Sequence, residues 1–485
     1  MIDTTILKDQ LAGQRWFGNK ERTIEDVVIL DEAVLADGPP QLVVTLARIV
    51  FEDGSANLYH LPLLVDEEGV ARDALEDTDP RILDPLRILG DLMAHGHSIK
   101  GNNGLFHFGG PGLDPLSPPG AEGIRSMGNE QSNTSFVLDE QVIVKLFRKI
   151  EPGPNPDLEL ARLLTNEGFE HIPAQVGEIL YEGELDDQGT GEREVSIDLG
   201  TASRFIHDAP EGWSEILKRV HLFYDEVHPE DTYEDMRALT ADRAGSTFEL
   251  LEQLGDVTAN LHVALAREEL EADFVPEPVV PHDVKEWTEA TRKALKDTLR
   301  SDLYGLGRLE ESFDERIDRF LALDENDLGW KIRIHGDYHL GQVLIGPRGW
   351  LIIDFEGEPR RTIEERRTKQ SPLKDVAGML RSFSYAATAA LFERAEPDSQ
   401  EWLDLSPWGA CWEDLAREHF LAGYLPTAHE GHFLPSDRDA ISVMLDVFEI
   451  DKALYELGYE RGHRPDWVRI PLRGLHQVLE RSEGR

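Results

Sequence analysis

Residues Ile332 to Pro359 read IRIHGDYHLGQVLIGPRGWLIIDFEGEP. The apolar opening predicts a strand that delivers His335, Gly336 and Asp337. Gln342 follows five residues after that aspartate, and a second apolar strand, WLII, delivers Asp354. Phosphoryl transfer from ATP asks for little covalent help and much positioning: an acceptor for the hydroxyl proton, and ligands for Mg²⁺ bridging the phosphates. Asp337 is assigned to the hydroxyl proton, and Gln342 and Asp354 to Mg²⁺, since an amide oxygen serves a hard cation as a neutral ligand. A lone aspartate in so acidic a chain is usually a solvated surface charge. Here the whole string constrains many positions at once, which a short motif does not. His335 is placed on the acceptor side with Asp337, chiefly to orient the loop.

Upstream, GNEQSNTSFVLDEQVIVKLFRK, Gly128 to Lys149, predicts a hairpin followed by a strand that carries Lys145. A lysine inside an apolar run needs an anionic partner, because an unpaired buried ammonium is costly. ATP phosphates and Glu159, on a helix expected to begin at Pro156, supply one, with Glu151 and Glu167 as competitors. Gln131, Ser132, Asn133 and Thr134 in the hairpin can bond phosphate oxygens through side chains and amides. Phe205 and Ile206, within TASRFIHDAPEGW (Thr201 to Trp213), are assigned to adenine, with structural packing as the other account. The order hairpin, lysine, helix glutamate, hinge, aspartate and DFx resembles that of protein kinases. Two features differ: Gln342 stands where those enzymes have asparagine, with DFE in place of DFG, and the hairpin is not a GxGxxG loop.

Working outward, the first hundred residues carry short apolar runs, Val27 to Leu30, Leu42 to Val50 and Leu58 to Val65, separated by Asp, Gly and Pro. Glycine and proline crowd Gly101 to Gly123 and punctuate the chain there. Beyond Pro210 the pattern turns helical, with amphipathic stretches near Phe248 to Ala266, Val284 to Leu299, Pro372 to Ala390 and Ala440 to Tyr459. The expectation is an α+β, bilobal, protein-kinase-like fold: a β-rich cap over 1–98, a small β-rich nucleotide-binding lobe over 99–205 and a helical lobe over 206–485.

The 485 residues include 94 acidic and 49 basic side chains, a formal net charge of -45. Nucleic acid is excluded as a partner, because phosphate backbones demand basic surface. No run reaches the roughly 18 apolar residues needed to span a bilayer. The start, MIDTTILKDQLAG, lacks a signal-peptide pattern, so no membrane association and a cytoplasmic location are expected. A single cysteine, Cys411, excludes an internal disulfide.

Several strings resemble the maltokinase family: RWFGNK (Arg15 to Lys20), NEQSNTS, KLFRKIEPGPNPDLE, LGDVTANLHVALA, HGDYHLGQVL, DFEGEPRRTIEERRTKQSPLKDVAGMLRSF and FEIDKALYELGYERGHRPDWVRIPLRGL. The resemblance implies a cap joined to an intermediate lobe and a helical lobe with the acceptor site. Mg-ATP would be the donor and the anomeric hydroxyl of maltose the acceptor. It further implies a product, maltose 1-phosphate, that feeds an α-glucan-building maltosyltransferase, and a functional link to trehalose synthase, to which the domain is fused elsewhere. Lys452, Tyr455, Glu456 and Tyr459 fall three or four residues apart, on one side of a helix, and suit a sugar wall. Core packing is the alternative for the two tyrosines, and cap core is the expectation for Trp16 and Phe17. A glucosamine or other sugar kinase, and a pseudokinase-like module that senses nucleotide or sugar, stay open.

A folded chain of this charge repels itself unless salt screens it; a salt-rich cytoplasm is one explanation of the composition, and an ordinary acidic mesophilic enzyme is the other. Melting temperature and kcat/KM are expected to rise with KCl past about 0.1 M, where the Debye length is still about 10 Å. A maximum below that concentration would remove the salt-rich reading.

Overall fold

The computed structural model describes residues 2–14, 16–18, 20–38, 40–75, 83–110, 123–127, 133–228, 231, 234–300, 306–358 and 361–483. They form two compact units, Met1–His207 and Asp208–Arg485. No helix among the described residues is long and apolar enough to cross a membrane.

The first unit is built on two antiparallel sheets. In one, Ile24–Ala36, Gln41–Phe51 and Ala56–Val65 run side by side, and the last also pairs with Ala71–Asp73 and with Lys149–Ile150. The expected apolar runs lie in these three strands. Gln41–Phe51 is buried along nearly its whole length because its alternating side chains enter two cores. Val43, Ala47, Ile49 and Phe51 pack with Trp16, Phe17 and Tyr59, while Val44 and Leu46 join a core shared with the second sheet. Trp16 and Phe17 are thus core aromatics, as expected.

The second sheet has seven strands. In spatial order they are Ser98–Lys100, Gly104–Gly109, Gln175–Leu185, Arg193–Arg204, Val142–Phe147, Asn133–Leu138 and Ile124–Ser126. The helix Pro156–Asn166 starts where proline suits a first turn, and the Asn155 side chain accepts from the Asp157 amide at 2.9 Å. One buried cluster ties the two sheets together. Arg148, whose side chain is wholly buried, donates to Asp73 at 2.9 Å and to Thr134 at 2.8 Å, and its guanidinium lies 4.6 Å from the Trp16 ring centre. Trp16 donates its indole N–H to the same Asp73 at 2.9 Å. Burial, and then the Arg148 charge, push neighbouring His60 down to about 3, so it stays neutral.

The second unit is helical, with two short antiparallel strand pairs, Glu277–Pro278 with Trp330–Lys331 and Val343–Gly346 with Gly349–Ile352. Its helices include Gly245–Leu265, Pro281–Leu299, Leu373–Arg394 and Arg438–His463, which contain most of each expected amphipathic stretch. Leu373–Arg394 is buried almost all round, as a central helix must be. The helix Gln400–Glu430, the longest among the described residues, lies outside the expected stretches and holds Pro407 and Pro426 within it. It crosses Gly245–Leu265 backbone to backbone. A Cβ on Gly255 would lie 2.0 Å from the Phe420 carbonyl oxygen, and one on Gly423 would lie 1.9 Å from that of Glu252. Cys411, on the same long helix, is half-buried, and burial pushes its thiol up.

Asp73→Ala would strand the Arg148 guanidinium, and breaking a buried pair costs about 3–5 kcal/mol. Urea unfolding should show the first unit melting earlier, with faster amide exchange in Ala56–Val65. An unchanged transition would mean that Thr134 and Trp16 suffice to hold Arg148.

Candidate active site

In the first unit, Lys145 sits on Val142–Phe147, opposite Ser135 on one neighbouring strand and Thr201 on the other. Its ammonium lies 3.1 Å from Asp157 in the first turn of the helix Pro156–Asn166. Glu159 is the partner expected from the sequence; the structure brings Asp157 to Lys145, and Glu159 lies buried two residues further along the same helix. Asp157 gains from its position, since helix N-termini favour negative charge. Thr134 Oγ1 accepts from Arg148 at 2.8 Å and so joins the cluster between the sheets. Asn133 is buried at the head of its strand, whereas Gln131 and Ser132 lie outside the described residues. The Phe205 amide donates to the Gln141 carbonyl at 2.8 Å, and its ring meets His207 edge-on with the Arg125 guanidinium 5.4 Å from its centre. Ile206 beside it is half-buried.

In the second unit, the strand expected at Ile332 is shorter than the apolar run suggested. Trp330–Lys331 pair with Glu277–Pro278, Ile332 bridges to Gln370, and the chain then turns into the loop. Asp375, near the start of the helix Leu373–Arg394, holds that loop by accepting from the amides of His335 at 2.8 Å and Gly336 at 2.9 Å. Gly336 has φ 84°, a left-handed conformation that glycine adopts without strain. His335 is buried, and its Nε2 donates to the Ile353 carbonyl at 3.0 Å, joining the loop to the strand before Asp354. The imidazole therefore ties two backbone segments together, which is an orienting task.

Asp354 has φ 66°, rare for a residue with a side chain and of a kind that clusters at functional sites. Gln342 Nε2 donates to Asp354 Oδ2 at 2.8 Å. The donor set fits a hard cation: a carboxylate beside an amide whose oxygen can replace the nitrogen by a half-turn.

Asp337 faces Lys452, whose ammonium donates to it at 2.9 Å and lies 3.6 Å from Glu358. His339 Nδ1 accepts from the Gly341 amide, and its Nε2 is 3.9 Å from Asp337. Burial works against the Asp337 carboxylate, but the Lys452 charge and then His339 outweigh it and hold the group below its usual range. The same carboxylates raise Lys452 against its own burial. These two residues line a cleft of about 80 Å³ together with Glu358, Arg361, Lys374 and Asp451. Lys374 lies over the rings of Trp287 and Phe448, and burial pushes its amine down to about 8.

The other three expected acceptor residues lie on the same helix as Lys452. Tyr455 has the Lys452 ammonium 5.0 Å from its ring centre, and Tyr459 stacks on His463 at 4.3 Å. Glu456 accepts from Arg381 at 2.9 Å and 3.1 Å in a buried pair. That pairing directs one of its oxygens at a guanidinium, so a sugar would share the carboxylate with Arg381. Sequence reasoning missed Asp375, Lys374 and Asp451. The available signal was a charged residue set among apolar neighbours, as in DVAGML and FEIDK.

The pair sets a sign for titration. A depressed Asp337 contributes stability above the unfolded carboxylate's pKa of about 3.9, lost as pH falls through the lower folded value. Lys452→Met leaves burial unopposed by that charge, so ¹³C NMR of the Asp337 carboxyl should show its midpoint moving up. A midpoint that stays put would assign the depression to His339 and the loop.

Two family models match the chain: the maltokinase N-terminal cap domain over residues 11–78 and the phosphotransferase enzyme family over residues 123–397, more than half its length. A glucosamine kinase of Mycolicibacterium smegmatis is 24% identical over 363 residues, covering 74% of this chain and 80% of that protein. One of Streptacidiphilus jiangxiensis is 25% identical over 364 residues, 74% of each chain. A solved glucosamine kinase in complex with glucosamine, ADP and inorganic phosphate superposes with a TM-score of 0.65 at 19% identity, over 97% of this chain and 99% of that one. At that identity the superposition shows a shared fold. With the loop, the lysine strand and the cap all in the expected order, the chain belongs to the phosphotransferase enzyme family and carries a maltokinase N-terminal cap domain.

Proposed function

We propose that the protein transfers the γ-phosphoryl group of ATP to the anomeric hydroxyl of maltose, giving maltose 1-phosphate and ADP. The observation that carries this reading is Asp337, kept ionised by Lys452 at a cleft from which Lys452, Tyr455 and Tyr459 continue along one helix. Asp337 accepts or orients the acceptor hydroxyl proton, and the neighbouring ammonium keeps it a carboxylate that can do so. Lys145 binds phosphate oxygens, and Asp157 holds its ammonium extended. Gln342 and Asp354 hold Mg²⁺, which when bound neutralises charge on the phosphates. Phe205 and Ile206 contact the adenine. The tyrosines offer ring faces to the sugar, whose second glucose unit adds contacts that a monosaccharide lacks.

A second reading, phosphorylation of glucosamine, is favoured by the names of the relatives and by Glu358 and Asp451 at the cleft, which suit an ammonium. Phosphorus NMR of the products from maltose, glucose, glucosamine and trehalose separates the two. Maltose should react best, and trehalose, with no free anomeric hydroxyl, should not react. Glucosamine outrunning maltose would replace the acceptor named here. Asp337→Asn should lower kcat by roughly 10²- to 10⁴-fold with ATP binding little changed. Asp354→Asn should instead weaken the Mg²⁺ dependence, and equal mild losses in both would remove these roles. Tyr459→Ala should narrow the preference for maltose over glucose.

A further inference from the structure

The cleft at Asp337 also holds a lysine that none of these roles uses. Lys374, on the helix Leu373–Arg394, donates to Gln370 Oε1 at 2.8 Å, and its ammonium lies 5.0 Å and 5.5 Å from the ring centres of Trp287 and Phe448. Ring faces attract a cation, so this shelf favours the charged form. Burial opposes it and brings the amine down to about 8, which leaves it protonated at neutral pH. Asp451, on the helix Arg438–His463, accepts from the Thr291 hydroxyl at 3.3 Å. Among the described residues no direct ion pair joins Lys374 to Asp451. They act on one another through space: after burial, each is the largest influence on the other's charge.

The other charges at the cleft are bonded. Glu358 accepts from Arg361 at 2.6 Å and has the Lys452 ammonium 3.6 Å away, and Lys452 donates to Asp337. Glu365 accepts from Thr362, Asp375 accepts from the loop amides, and Arg366 donates to the Glu356 carbonyl. Asp451 is therefore the cleft carboxylate whose balancing charge stands apart from it. Its oxygens keep lone pairs to spare, and the Lys374 ammonium keeps protons to spare.

We propose that Lys374 is a specificity-determining residue: opposite Asp451, it makes the cleft select a neutral sugar over an amino sugar. A hydroxyl suits the pair, since it can donate to the carboxylate and accept from the ammonium. An amino sugar presents an ammonium instead, which has no lone pair to offer and brings a further positive charge beside Lys374 and Lys452. Specificity then comes from a repulsive element as much as from an attractive one. Without Lys374, Asp451 loses its main balancing charge, and an incoming ammonium supplies what is missing.

The inference rests on the reading of this cleft as the acceptor site, so the test has one arm that needs no turnover. Glucose and glucosamine differ in one group, a hydroxyl against an ammonium, and the ratio of their kcat/KM values isolates its effect. The assays are run at about pH 6.5, below the range of an ordinary amino group. Lys374→Met keeps an apolar stem on the two rings and removes the charge. It should raise the ratio of glucosamine to glucose by about 10-fold or more, since like charges side by side are strongly penalised. Lys374→Arg, which keeps the charge, should stay near wild type, and adding Asp451→Asn to Lys374→Met should cancel the gain. An unchanged ratio in folded Lys374→Met protein overturns the proposal, as does wild-type protein that already prefers glucosamine to glucose. So does an equal rise in the double variant, which would assign the effect to space rather than charge. Wild-type protein that phosphorylates no sugar would sink the proposed function. NMR titration of the same variants with glucose and glucosamine would still decide the role of Lys374, by whether the binding preference shifts in the same way.

Discussion

Asp337 keeps its charge in a partly buried position chiefly because an ammonium from 115 residues further along the chain lies 2.9 Å away. A carboxylate withdrawn from water without such a partner protonates, and a protonated acid cannot accept the proton of a hydroxyl. Much of the second unit is arranged around this pairing. The helix Arg438–His463 supplies Lys452, the central helix Leu373–Arg394 supplies Asp375 to fix the loop backbone, and His335 joins the loop to the strand before Asp354.

The same constraint recurs across the chain in a different form. Most of its 94 acidic residues can be solvated, and several of those drawn inside are met by arginine, as in Arg148 with Asp73, Arg381 with Glu456, and Arg417 and Arg481 with Glu449. Burial works against the Glu449 carboxylate, yet the two guanidinium groups hold it down to about 2. Arginine suits these places because its fork can satisfy both oxygens and keeps its charge when buried. Lysine stands instead at Lys452 beside Asp337, where a compact charge on a flexible stem meets the carboxylate.

The acceptor is the least constrained part of the chemistry. The disaccharide proposed above draws on the resemblance of the tyrosine-bearing helix, while two relatives that align over about three quarters of the chain are glucosamine kinases. Both acceptors present hydroxyls to the same carboxylate. What separates them is whether Glu358 and Asp451 are occupied by Arg361, Lys452 and Lys374 or are left to meet an amine.

Read by itself, the sequence determined the alternation of the cap strands, the helical character beyond Pro210, the start of the helix at Pro156 and the order of lysine, aspartate and DFE. These depend on local periodicity and on neighbours within a few residues, and such information is written consecutively along the chain. The tertiary structure alone decided that Asp157 meets Lys145, that Glu456 is shared with Arg381, and that Asp375 stands behind the loop. Each of these depends on which face of a helix turns towards an element distant in sequence. Asp157 and Glu159 lie two residues apart in one turn, and no pattern of residue types marks Asp157 as the carboxylate found 3.1 Å from Lys145.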